Sequence, residues 1–239
     1  NTGPYCAGAT INLIAPAATS YTWSGPGFSS NVQNPTRTNS TPAMSGTYTV
    51  IVSIGTCTAS ATTNVVVNAL PTPTAGSNSP VCVGQSINFT ASNAVSHVWA
   101  GPGGFTSNVQ NPVISICGMI NNGTNTLTVT DANGCTNFVT VNVAVNPLPN
   151  IVVNNPTVCV NQAISFTATG GATYFWAGPN SFTSNVQNPT ILSATSNMSG
   201  QYTVVAVSAA GCSNTAVSNA TVYALPNPNI AGNSPLCVG

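Results

Sequence analysis

Val139-Thr140-Val141-Asn142-Val143-Ala144-Val145 sets valine at every second position, with threonine, asparagine and alanine between. A period of two sends alternate side chains to opposite faces, so the run reads as a β-strand. Ile87, Phe89 and Ala91 alternate with Asn88 and Thr90 in the same way, and Gln201-Tyr-Thr-Val-Val-Ala-Val207 is a third such run. Asp131-Ala-Asn-Gly134 lies between two of these segments and reads as a tight hairpin, because Asn-Gly tolerates positive φ. No stretch has helical spacing.

Working outward, the strands belong to a repeat. Cys6, Cys82, Cys159 and Cys237 are spaced by 76, 77 and 78 residues. Each of the first three is followed 17 residues later by Trp23, Trp99 or Trp176, then by Gly-Pro and a Phe. Asn-Val-Gln-Asn-Pro recurs unchanged at 31–35, 108–112 and 185–189. A second cysteine (Cys57, Cys135, Cys212) follows the first by 51, 53 and 53 residues. The units close on Ala69-Leu-Pro71, Pro147-Leu-Pro149 and Ala224-Leu-Pro226. The divisions are therefore 1–70, 71–148 and 149–225, with 226–239 reading as the first strand of a further repeat. About seven short strands per unit, with turn residues at each break, predict an all-β chain of three tandem antiparallel sandwiches.

Cys-Val-Gly-Gln-Ser-Ile-Asn-Phe-Thr-Ala (82–91), Trp-x-Gly-Pro, Gly-x-Tyr-Thr-Val (46–50 and 200–204) and Asp-Ala-Asn-Gly-Cys (131–135) resemble immunoglobulin-like or PKD-like repeats. Such repeats fill very large surface proteins of the Bacteroidota, including gliding adhesins exported by type IX secretion. The resemblance implies architecture and an extracellular location and transfers no catalytic residue. The middle unit departs from it: Gly123-Thr-Asn-Thr-Leu127 replaces Gly-x-Tyr, and Cys117 is extra.

Composition excludes several functions. Charged residues are 1% of the chain: Arg37 and Asp131, with His97 the one histidine. A nucleic-acid or anionic-membrane surface needs clustered Lys and Arg. Paired-carboxylate catalysis and calcium sites need carboxylates that are absent. An apolar content of 42% argues for burial against disorder, and no apolar run approaches the roughly 18 residues of a membrane helix. Eight cysteines in such a chain point to an oxidising, extracellular setting.

Trp23, Trp99 and Trp176 are expected in the cores, with Tyr48 and Tyr202 beside them in a setting similar to a tyrosine corner. The competing reading makes each tryptophan an exposed platform for sugars. The repeated pentapeptide is expected to be structural, with Asn bonding its own turn, against an alternative as a recognition surface. His97 has no partner histidine for a metal. Arg37 and Asp131 read as solvated loop residues, and Cys117 as a buried thiol with a lateral disulfide as the alternative.

In a sandwich of the resembled kind, the first cysteine sits at one end of the unit and the second in a hairpin at the other. A seven-residue strand separates the ends by roughly 23 Å, whereas bonded Cα atoms lie within about 7 Å. The favoured pairs therefore join neighbouring units, Cys6–Cys135 and Cys82–Cys212, with Cys57 pairing to a preceding unit and Cys159 to a following one. The alternative follows sequence order: Cys6–Cys57, Cys82–Cys135 and Cys159–Cys212. Cys237 opens the next repeat, so the 239 residues are expected to be a window on a longer or polymerised chain. The leading functional expectation is a non-enzymatic extracellular adhesin or filament segment. Its partners would be neighbouring repeats, copies of itself or surface glycans, and it needs no cofactor. A carbohydrate-binding module array of a secreted enzyme is the second reading.

Overall fold

The alternating runs pair as antiparallel ladders in a computed structural model that describes residues 3–230. In the second repeat, Ser96–Gly101 lies between Phe105–Ser107 and Gly123–Thr130, and the latter pairs with Thr136–Val143. The opposing layer is made of shorter segments, with Ile87–Ala91 between Ala75–Ser77 and Val113–Ile114. The first repeat has the same four-stranded layer, from Phe28–Ser30 through Ser20–Gly25 and Gly46–Ile54 to Cys57–Val65. In the third, the corresponding layer gains a fifth strand, because Thr157–Cys159 runs parallel to the end of Ser213–Tyr223. Tyr5–Cys6 runs parallel to Val67–Asn68 in the first repeat. Among the described residues the helical elements are single 3₁₀ turns, and no helix is long and apolar enough to cross a membrane. The chain is a tandem array of immunoglobulin-like sandwiches.

Each repeat has its own core. In the second, Ile87, Phe89, Trp99, Leu127, Val129, Val143 and Val145 pack together; Ile164, Phe166, Trp176, Tyr202, Val204 and Val222 do so in the third. Ile11, Leu13, Trp23, Tyr48, Val50 and Val65 form the first. The chain divides into two compact units, Asn1–Val145 with the first two repeats and Asn146–Gly239 with the third. Of the segment 226–239, residues 226–230 carry no strand, and 231–239, including Cys237, lie outside the described residues.

The expected hairpin at 131–135 is present, and its turn is built around Asp131. Positive φ falls on Gly134 (78°) alone, and the Gly134 N–H donates to Asp131 C=O at 3.1 Å. Asp131 Oδ1 accepts from the N–H groups of Asn133 and Cys135, both at 2.9 Å. A carboxylate that organises a turn in this way frees Asn133 from the left-handed region. Asp131 is therefore a structural acceptor, where a solvated loop charge was expected. The third repeat builds the same loop with Ser208 in place of Asp131 and φ 81° at Gly211. The first repeat instead closes on the two residues Gly55-Thr56, with Ile54 paired directly to Cys57.

Candidate functional site

Three constellations recur: the indole with its pentapeptide, the tyrosine beside Gly-Pro, and the cysteines at the ends of each repeat. The indoles are inside, with Trp23 2% exposed and Trp99 and Trp176 0%. A sugar platform needs an open ring face, so these tryptophans do not form one. Each indole Nε1–H donates to the backbone carbonyl of the pentapeptide glutamine: Gln33 at 3.3 Å, Gln110 at 3.2 Å and Gln187 at 3.2 Å. The glutamine amide then donates to the carbonyl of Ala15, Ala91 or Ala168, at 3.0, 2.9 and 2.7 Å. The following asparagine Oδ1 accepts from the N–H of the same alanine, at 3.0, 2.9 and 2.9 Å. Two side-chain amides thus occupy the donor and acceptor of that alanine on the edge that the short strand 113–114, or its counterpart in the other repeats, does not reach. The asparagine bonds the preceding strand, where its own turn was expected. The central valine has no such role: Val32, Val109 and Val186 are 61%, 62% and 61% exposed.

Tyr48 and Tyr202 are fully buried, and each donates its hydroxyl to a carbonyl four residues upstream, Met44 or Met198, at 2.9 Å. Burial pushes the Tyr202 phenol above its ordinary pKa. Glycine of the Gly-Pro turn lies flat against the ring: a Cβ on Gly178 would sit 2.2 Å from Tyr202 Cδ1, and one on Gly25 2.4 Å from Tyr48 Cδ1. In the second repeat Asn125 takes the tyrosine position, with its Oδ1 1.9 Å from where a Gly101 Cβ would be.

Arg37 corrects a second expectation about charge. It lies on the strand Thr36–Arg37, where Ile114 and Ile191 stand in the other repeats. Its guanidinium donates to Pro26 C=O at 2.9 Å and to the Tyr48 hydroxyl, and its carbon is 5.0 Å from the Phe28 ring centroid. Leu13 stands where the other cores have Phe89 and Phe166, and the arginine stem and head cover the aromatic surface left open. His97, 8% exposed, has Nε2 3.0 Å from Ser92 C=O; a carbonyl only accepts, so that nitrogen carries the proton. Tyr21 and Tyr174 hold the same position and bond the same preceding turn, at Ala18 and Gly171. Among the described residues no group of three or more His, Cys, Asp or Glu side chains could hold a metal.

The cysteines make the joint. Cys6 and Cys135 are bonded, with Cα atoms 5.6 Å apart and a separation of 129 positions in sequence. Cys82 and Cys212 each take part in a disulfide, whereas Cys57, Cys117 and Cys159 are free thiols. The sequence-order pairings are corrected: Cys135 is bonded to Cys6 and so not to Cys82, and Cys159 is a free thiol and so not bonded to Cys212. Cys6 runs beside Asn68, eleven residues along the last strand from Cys57, which is about 36 Å of extended chain. Beside the cystine, Gly3, Pro4, Asn64, Val66, Asn68 and Asn133 line a shallow cleft between the first two repeats. Two residues after the hairpin cysteine, Asn137 donates to Pro71 C=O at 2.9 Å and Asn214 to Pro149 C=O at 3.0 Å, holding the linker that enters each repeat. Cys117, 1% exposed, stands where Ser40 and Ala194 stand in the other repeats and makes the same backbone contacts. It is a small core residue with no lateral disulfide among the described residues.

No protein-family model matches the chain, and no curated protein matches it significantly. Solved structures do. The titin I-band fragment I67–I69 is 13% identical, covering 93% of this chain and 95% of that one, with a TM-score of 0.46. The full ectodomain of mouse nectin-like molecule 4 is 11% identical, covering 95% and 98%, with a TM-score of 0.43. Three N-terminal domains of the bacteriophage RB49 outer capsid protein Hoc are 14% identical, covering 93% and 96%, with a TM-score of 0.42.

Proposed function

We propose that the chain is a non-enzymatic structural or adhesive segment of an extracellular surface protein, built to hold successive immunoglobulin-like repeats together. The observation that carries this reading is the Cys6–Cys135 cystine, which covalently joins one repeat to the next. Stapling repeats to each other gives a connector that resists extension, without calcium and without charges that salt would screen. Arg37, Asp131 and His97, the side chains that acid–base chemistry would need, are all engaged in turns and core edges. The likeness of the repeat motifs to those of large Bacteroidota surface proteins supports a place on the cell surface or in a secreted filament.

Labelling intact source cells with an antibody to the chain tests the location, and a non-reducing peptide map of the native material tests the cystine. Surface label together with a Cys6–Cys135 peptide is expected. Label that appears only after permeabilisation, with both cysteines recovered as thiols, overturns the reading.

A further inference from the structure

We infer that the outward face of the four-stranded layer, in the second repeat and in its counterpart in the third, binds a neutral polysaccharide; the inference rests on the adhesive reading proposed above and names its partner. In the second repeat, Trp99, Leu127 and Val143 of this layer point into the core, so the residues between them face out. The ladder registers set Val98, Thr128 and Phe138 in one row across the strands. The rows on either side run from Thr126 to Thr140 and from Thr130 to Thr136. In the third repeat the corresponding row is Phe175, Val205 and Thr215. Phe138 is 64% exposed and Phe175 46%. In the first repeat the row is Thr22, Ile51 and Ser60, with no ring.

Polar side chains serve differently on the two layers. On the opposite layer they bond the sheet itself: Asn78 Oδ1 accepts from Asn88 N–H and Asn154 Oδ1 from Thr167 N–H, both at 2.8 Å. On the four-stranded layer, the hydroxyls of Thr126, Thr128, Thr130, Thr136 and Thr140 bond no group of the chain among the described residues. A hydroxyl both donates and accepts, so these rows match sugar hydroxyls, which do the same. The exposed ring beside them offers a flat apolar surface to the C–H face of a pyranose.

Charge and area decide between occupants. Arg37 lies on the opposite layer of the first repeat and Asp131 in the hairpin, so the face itself carries no charge. A nucleic acid, an anionic glycan or a charged protein surface finds no counter-charge there, and a neutral polymer needs none. Four strands of about five residues present roughly 14 by 17 Å, enough for a short run of sugar rings. That is roughly 240 Å² a side, against about 800 Å² per partner in a stable pair of proteins. A second copy of the chain is therefore the poorer occupant.

The test retains the full 239-residue chain on particles of cellulose, β-1,3-glucan or mannan, with calcium alginate and chitosan as the charged counterparts. Binding to at least one neutral polymer and to neither charged one is expected, unchanged between about 0.02 and 0.5 M salt. Phe138→Ala with Phe175→Ala should weaken binding about tenfold or more, since each ring lies on the contact. Ile51→Ala should leave it within about twofold. Circular dichroism shows that the variants fold. Retention on no neutral polymer, retention on the charged ones alone, or a double variant that binds like the parent would overturn the proposal. So would a parent dimer in sedimentation that the double variant abolishes, because the face would then belong to a second copy. None of these failures touches the surface label or the Cys6–Cys135 peptide, so the two readings fall separately.

Discussion

Gln110 and Asn111 show how single side chains stand in beyond the end of a short strand, since together they satisfy both backbone groups of Ala91. Asn111→Ala leaves that N–H without an acceptor and should lower stability by about 1–3 kcal/mol, read by urea titration. The exposed Val109 between them and the preceding turn should tolerate Val109→Ser within about 0.5 kcal/mol. Tyr202→Phe removes the hydrogen bond to Met198 and should cost about 0.5–1.5 kcal/mol at neutral pH. The same phenol sets a pH dependence. Its folded pKa is raised, so the neutral form is the one the core favours. The associated stability is fully present below the unfolded value of about 10 and is lost as pH rises through the higher folded value. Thermal melts should fall off above about pH 10, and Tyr202→Phe should flatten that fall.

At the scale of elements, the hairpins carry both the turn chemistry and the joint. Asp131→Ala removes the acceptor for two N–H groups of the 131–135 loop and should cost about 1–2 kcal/mol, because the loop then relies on Gly134 alone. Gly178→Ala tests the other close approach. A Cβ 2.2 Å from the Tyr202 ring cannot be accommodated without moving the ring or the strand, and the expected loss exceeds about 2 kcal/mol, measured by thermal melting. A control at Cys117 runs the other way: Cys117→Ala reproduces Ala194 of the third repeat and should stay within about 1 kcal/mol of the parent.

For the molecule as a whole, the Cys6–Cys135 bond takes 129 residues out of the extensible path. Pulled from its ends, the chain should therefore lengthen by at least roughly 450 Å more after full reduction than before, since the disulfides at Cys82 and Cys212 open as well. Equal contour lengths in both states would show that the bond does not bear load. Cys135→Ser should also lower unfolding stability by about 2–5 kcal/mol, since a long closed loop is released in the unfolded state. With one cation and one carboxylate in the chain, melting temperature should barely move between about 0.02 and 0.2 M salt.

The fold class was legible in the order of residues because strand alternation and turn residues are local signals, and threefold recurrence made each instance check the others. Three tandem antiparallel sandwiches follow from that, and the immunoglobulin-like arrangement was what the resemblance of the motifs implied. The partners of the cysteines were legible only through the resembled fold. Spacing alone admits both a pairing within repeats and one between them, and the end-to-end geometry of such a sandwich favoured Cys6–Cys135, the bond that is found. Only the parallel strand Tyr5–Cys6, which carries its cysteine far along the last strand from Cys57, decides it for Cys6. The roles of Arg37, His97 and the pentapeptide amides were hidden for the same reason. Each bonds a group brought near by the turn of a sheet, such as Gln33 to Ala15 across 18 residues, and no local pattern encodes such a partner. Propensity and pattern act between neighbours in the chain, whereas cystines, caps and cation–π contacts act between neighbours in space.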